Sequence, residues 1–158
     1  MKQFWAPWRM EYILGDKPDG CFLCDIISSD KDRDNLLLKR GRNCAVVMNR
    51  YPYNGGHLMV MPYRHLAELG DLTSEERLEM MDLADESINV LKKVTYPAGH
   101  NVGFNLGKAA GAGLEEHLHM HIVPRWEGDT NFMPVLSEVR VVPLALLDLW
   151  DMLKPEFD

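Results

Sequence analysis

Apolar residues change their spacing several times along the chain, and each change marks an element. From Asn43 to Met48 the run NCAVVM is apolar and rich in β-branched residues; NRYPYNGG then supplies turn formers, and HLMVMP from His57 to Pro62 alternates as a second strand would. This predicts a hairpin. Thr73-Ser74-Glu75-Glu76 has the spacing of a capping box, and Leu78, Met81, Ile88 and Leu91 with their neighbours recur at helical spacing up to Val94. The longest helix is expected there, ended by Pro97 and Gly99. NVGFNL (Asn101 to Leu106) reads as a third strand, followed by the small-residue loop GKAAGAGLEE, the strand HLHMHIVPRW, a further strand EVRVVP and a short amphipathic helix in ALLDLWDML. Strands in hairpins around one long helix indicate an α+β protein with an antiparallel sheet of about five strands, rather than a doubly wound parallel sheet. The expected organisation is one domain over 1–158: an N-terminal arm at 1–20, a core at 43–126, and a C-terminal strand and helix at 127–158.

Composition narrows the class. A chain of 158 residues fits one domain and can bury a real core without disulfide staples. Its formal charge of −7, with no basic run, argues against a partner made of nucleic-acid polymer, although a small anionic ligand needs only a few local donors. The N-terminus lacks the continuous apolar stretch of a secretory signal, and no run of ~20 apolar residues could span a bilayer. The expectation is a cytoplasmic protein with no membrane association. Cys21, Cys24 and Cys44 are an odd number in a reducing compartment, which favours thiols or a metal over a disulfide framework. Trp5, Trp8, Met10, Tyr12 and Ile13 carry too much apolar surface for a free tail, so the arm should cover its own core, a partner subunit or a base pocket.

His117-Leu118-His119-Met120-His121 is the segment richest in chemistry. In a strand, side chains alternate and the rise is about 3.3 Å per residue, so the three imidazoles should share one face about 7 Å apart. Leu118, Met120 and Ile122 would pack on the other. Three zinc ligands on one strand converge poorly on a single ion. Nucleophilic catalysis suits them better, because a neutral imidazole attacks phosphorus well near neutral pH. His119 is the expected nucleophile, with a neighbour or a carbonyl fixing its tautomer. Just upstream, Gly107, Gly111 and Gly113 would let backbone amides approach a phosphate, with Lys108 as a nearby charge. The loop fails the Walker A pattern, being one residue short and ending in Ala109 instead of Ser or Thr, so a P-loop ATPase is not expected.

HLHMHIV matches the alternating His-apolar signature of the histidine triad, or HIT, family of nucleotide hydrolases and transferases. Met48-Asn49-Arg50 with Gly56-His57-Leu58-Met59-Val60-Met61-Pro62, and Asn101 to Gly107, are also similar to family segments, so the resemblance covers roughly residues 20 to 125. It implies a HIT-like fold and a nucleotidyl-histidine intermediate. It further implies His119 as nucleophile, His121 on the phosphate, His117 in support, His57 within the triad network, Asn49 on a ribose and Asn105 on the phosphate. The pattern departs from the commonest one at Gly111-Ala112, where many members carry Gly-Gln, and the approach Leu114-Glu115-Glu116 is one residue longer. WAPWRMEYI and PRWEGDTNFMP resemble the bacterial branch linked to diadenosine polyphosphate breakdown, hydrolase or phosphorylase.

The expected activity is therefore cleavage of a dinucleoside polyphosphate at the α-phosphate, with water or phosphate as acceptor. A nucleoside phosphoramidase or other nucleotidyl transferase, and a nucleotide-binding signalling module with negligible turnover, are the alternatives. The family also implies a homodimer with sheets joined edge to edge, and Trp5, Trp8 and Trp150 are compatible with terminal segments that complete a partner's pocket. Cys21-Phe22-Leu23-Cys24 has the spacing to hold half a zinc site. The resemblance offers His65 and His117 as the other two ligands, making the zinc structural; a pair of thiols without metal is the alternative. No organic cofactor is expected.

Overall fold

The computed structural model describes residues 20–129 and 144–157. Within them, a five-stranded antiparallel sheet is built from β1 (Leu37–Arg40), β2 (Cys44–Met48), β3 (Leu58–Pro62), β4 (Gly99–Phe104) and β5 (Met120–Arg125), in the spatial order β1-β2-β3-β5-β4. Helix α1 (Phe22–Ser28) precedes the sheet, α2 (Ser74–Thr95) connects β3 to β4, and α3 (Leu146–Leu153) closes the described chain. The α+β class and the β2–β3 hairpin are as expected. The expected strand at 138–143 and the arm at 1–19 lie outside the described residues.

Both faces of the sheet are covered. On one face Val46, Met48, Leu58, Val60, Met120 and Ile122 pack against Met80, Leu83 and Leu91 of α2, and Leu149, Leu153 and Phe157 join the same cluster. On the other, Leu37, Ala45, Val47, Met59 and Met61 are capped by Leu23 of α1. Helix α1 and β1 were not anticipated. Seven residues of α1 are too few to show a period, and Leu36-Leu37-Leu38 cannot alternate because Leu36 and Leu38 serve one core while Leu37 serves the other. A strand buried on both faces reads as an unbroken apolar run.

Helix α2 starts where the sequence places it. Thr73 Oγ1 accepts from the Glu76 amide at 3.2 Å, and the Glu76 carboxylate accepts from the Thr73 amide at 2.8 Å, which completes the capping box. Its buried stripe is Glu76, Met80, Leu83, Ala84, Ser87, Val90 and Leu91; Leu78 and Met81, expected on the core side, face outward. Those two lie on a helical row displaced from the stripe by about 100° or more, which sequence spacing alone cannot orient. Trp150, a candidate for a partner's pocket, instead packs against its own core and donates Nε1–H to Leu37 O at 3.0 Å.

The Glu76 carboxylate also receives Arg64 Nε at 2.7 Å and Nη2 at 2.6 Å, tying the end of β3 to the helix start. Arg64 and the Thr73 amide hold this carboxyl down at about 2 against the desolvation that burial imposes. A folded-state value below the unfolded one stabilises the fold at pH above ~4.5, and that stability is lost as pH falls from there through about 2. Arg64 is half exposed and solvent screens the pair, so the contribution is on the order of 1–2 kcal/mol. Chemical denaturation of Glu76→Gln should show a deficit of that size at pH 7 that vanishes near pH 2. A deficit independent of pH would contradict the assignment.

Candidate active site

β3 and β5 pair with Met59 opposite His121, and β4 places Gly103 opposite the same histidine. Formal strand geometry begins only at Met120, so His117 and His119 stand in the approach to β5 and do not continue an evenly spaced row of three. The approach is held by the Leu118 amide, which donates to Leu66 O at 2.7 Å. As expected, Leu118, Met120 and Ile122 enter the core against α2. The histidines lie on the α1 side of the sheet, all nearly buried.

Backbone partners decide which nitrogen of each ring carries its proton. A carbonyl can only accept, so His119 Nδ1, 2.8 Å from His117 O, donates, and a neutral His119 keeps its lone pair on Nε2. Burial pushes the His119 pKa below the ordinary imidazole range, which keeps that lone pair available near neutrality. An amide can only donate, so His57 Nδ1 accepts from the Tyr53 amide at 3.0 Å. The proton of a neutral His57 then sits on Nε2 and is given to His121 Nδ1 at 2.9 Å. His121 in turn carries its proton on Nε2. The result is a nucleophilic nitrogen beside a donor ring, with the His119 and His121 centroids 4.8 Å apart.

Asn49 sits against the same network: its Oδ1 accepts from the Tyr51 amide at 2.8 Å and its Nδ2 lies 3.4 Å from His57 Nδ1. Asn105 Nδ2 donates to Tyr53 Oη at 3.1 Å. Tyr53 was missed by sequence reasoning, although it lies four residues before His57 in the turn. Its ring packs on His57 and His121 with centroids 4.6 and 5.6 Å away, so one residue touches His57, His121 and Asn105.

The glycine loop differs from expectation. Gly107 and Gly111 adopt positive φ as their lack of a side chain allows, but the Ala110 and Ala112 amides donate to Gly107 O and the Gly111 amide to Lys108 O. A short 3₁₀ turn at Lys108–Ala110 draws these three amides onto the loop's own carbonyls instead of outward. Gly113 follows this turn. The Lys108 side chain is largely exposed, with its ammonium 3.8 Å from Glu115.

His117 is turned away from the other two. Its Nε2 donates to Pro62 O at 2.9 Å, and its Nδ1 lone pair lies 3.3 Å from Cys21 Sγ and 3.5 Å from Cys24 Sγ. His65 Nδ1 is 3.3 Å from Cys24 Sγ. These four ligand atoms all lie within 4.8 Å of one another and could hold a metal ion. For zinc bonds to sulfur and nitrogen in tetrahedral array, the sulfur–nitrogen edge is about 3.6 Å, close to all three separations. Cys44 is apart from this cluster, buried in the α2 core, where desolvation pushes its thiol upward.

A histidine pair with fixed, complementary tautomers stands on a five-stranded α+β sheet, backed by a Cys₂His₂ cluster, the arrangement of a histidine triad protein. The chain belongs to the HIT family: the HIT domain model matches residues 31–128. It is 41% identical to the AP-4-A phosphorylase of Mycobacterium tuberculosis, over 99% of this chain and 85% of that protein. It is 32% identical to the asymmetrical bis(5'-nucleosyl)-tetraphosphatase of Schizosaccharomyces pombe, over 57% of this chain and 49% of that one. Among solved structures, a Zn-bound histidine triad family protein from Mycobacterium smegmatis superposes with a TM-score of 0.70 at 26% identity, covering 87% of this chain and 93% of its own. A hypothetical histidine triad nucleotide-binding protein from Sulfolobus tokodaii superposes at 0.69 and 21% identity, covering 87% and 91%, which supports the fold.

Proposed function

We propose that the protein is a nucleotidyl enzyme that cleaves dinucleoside polyphosphates at the α-phosphate through His119. The observation that carries this is the pair of tautomers: a lone pair on His119 Nε2 beside a proton on His121 Nε2. Nε2 of His119 bonds to the α-phosphorus while the bond from that phosphorus to its bridging oxygen breaks, and the departing nucleoside polyphosphate keeps the electron pair. An acceptor oxygen then bonds to the same phosphorus, the nitrogen–phosphorus bond breaks, and the acceptor's proton passes to solvent. His121 supplies its proton to a phosphoryl oxygen and opposes the charge that gathers there. Asn105, positioned by Tyr53, binds the same phosphate, and Asn49 the ribose. Among the loop residues Gly107, Lys108, Gly111 and Gly113, Lys108 contributes an exposed positive charge.

The activities named for the M. tuberculosis and S. pombe relatives support this substrate class, and the former supports inorganic phosphate as acceptor. Incubation with diadenosine tetraphosphate and phosphate should yield ATP and ADP. AMP in place of ADP would make water the acceptor, and intact substrate under both conditions would overturn the reading.

The Cys21, Cys24, His65 and His117 cluster is a zinc site in this proposal, supported by sulfur–nitrogen separations of 3.3, 3.3 and 3.5 Å and by the Zn-bound M. smegmatis neighbour. Burial and the neighbouring Cys21 push the Cys24 thiol up to about 11, and a cation among the ligands would favour its thiolate. Zinc would supply structural cross-linking there, pinning His117 and through its carbonyl the orientation of His119. No helix among the described residues is long and apolar enough to cross a membrane, and cysteines held as metal ligands rather than in a disulfide would suit the cytoplasmic location we propose. β4 forms one edge of the described sheet, with Val102 and Leu106 nearly half exposed, which supports a homodimer joined at that edge; light scattering giving the mass of one chain would contradict it.

A further inference from the structure

Beside His121 a cleft continues along the β4–β5 pair, floored at Gly103 and ending at Asn101 and Arg125. Nothing approaches within 4 Å of where a Gly103 side chain would begin, so the floor opposite His121 is open. His121, Val123 and Arg125 alternate onto this face, and four residues of strand separate the first from the last by about 13 Å. A chain of several bridged phosphates spans such a distance and a single phosphate does not.

Direction is set by chemistry. In an in-line displacement the leaving oxygen departs opposite the attacking atom. His121 lines the cleft and His119 does not, so a leaving group that departs away from His119 past His121 enters the cleft.

Arg125 is built to receive an anion at its far end. Nε and Nη2 donate to the two oxygens of Asp129 at 2.6 and 3.0 Å, and Nη1 donates to Asn101 Oδ1 at 2.9 Å. Asp129 is itself held by Asn54 Nδ2 at 2.9 Å and the Trp126 amide at 3.3 Å, which fixes the guanidinium plane. A guanidinium has five N–H groups, so these bonds leave one on each terminal nitrogen, on a side chain that is 48% exposed. We propose that the cleft from His121 to Arg125 is the subsite for the departing polyphosphate, and that Arg125 makes the protein selective for substrates with several phosphates. This rests on the reaction proposed above.

The test compares kcat/KM for diadenosine tetraphosphate with that for adenosine 5′-phosphoramidate, whose leaving group carries no phosphate, in the unmodified protein, R125Q and D129N. Loss of charge-assisted hydrogen bonds should lower the tetraphosphate value in R125Q about tenfold or more beyond any change in the phosphoramidate value. D129N loosens the loop yet keeps the cation, so its ratio of the two values should stay at or above that of the unmodified protein. Equal losses on both substrates in R125Q, or a D129N ratio that falls with R125Q, would show that Arg125 only ties the loop and would overturn the subsite. An unmodified protein that turns over the phosphoramidate alone overturns the subsite together with the polyphosphate specificity. One that turns over neither overturns the reaction itself.

Discussion

His119→Ala is expected to lower turnover of diadenosine tetraphosphate on the order of 10⁴-fold or more, because it removes the lone pair proposed to attack phosphorus. The imidazole is pre-set by its bond to His117 O, and burial keeps it neutral, so the reactive form is the resting form. The sharper readout is covalent: brief mixing of unmodified protein with substrate, followed by acid quench and mass spectrometry, should reveal a nucleotidyl adduct on His119. The alanine protein should show none. His121→Ala keeps the nucleophile but removes the donor opposite it, and should slow adduct formation about 10²-fold or more without abolishing it. An adduct on His121 in the His119→Ala protein would reverse the two roles.

Removing the zinc proposed for the cysteine–histidine cluster is the second perturbation with a large expected effect. Protein purified without chelator should contain one equivalent. Stripping it, or substituting Cys24→Ser, should lower the melting temperature by about 10 °C, since a metal clip joining α1, the end of β3 and the approach to β5 contributes several kcal/mol. The four proposed ligands come from three separate chain segments, Cys21 and Cys24 at α1, His65 after β3 and His117 before β5. Turnover should fall as well, because His117 connects the cluster to His119 through its own carbonyl. Acidification acts in the same direction: thiols must lose protons to bind, so metal affinity falls as pH falls. Purified protein without stoichiometric metal, or an unchanged melting temperature after chelation, would leave the cluster as a set of thiols.

Much of the site is legible in the linear chain because its chemistry is local. Alternation through HLHMH, with Leu118, Met120 and Ile122 between and beyond the histidines, separates the reactive face from the core face, and the structure keeps that separation. The capping box at Thr73 and Glu76 is equally local, four residues that satisfy one another before any tertiary contact forms. Features that depend on distant partners were hidden. Tyr53 carries no motif; it acquires its position only when the turn after β2 brings its amide to His57 and β5 brings His121 under its ring. Loop glycines permit several backbone paths, and the path taken turns three amides inward.

The sequence by itself determined the α+β class, the long helix and which histidines are the candidates for chemistry, because periodicity and side-chain chemistry are properties of neighbouring residues. Tertiary structure alone decided how those histidines divide their work. Three similar imidazoles within five residues become different groups once Pro62 O orients His117 toward Cys21 and Cys24, His117 O sets the tautomer of His119, and the Tyr53 amide sets that of His121 through His57. An imidazole has two interchangeable nitrogens, and which one holds the proton depends on fixed donors and acceptors that only the folded backbone supplies.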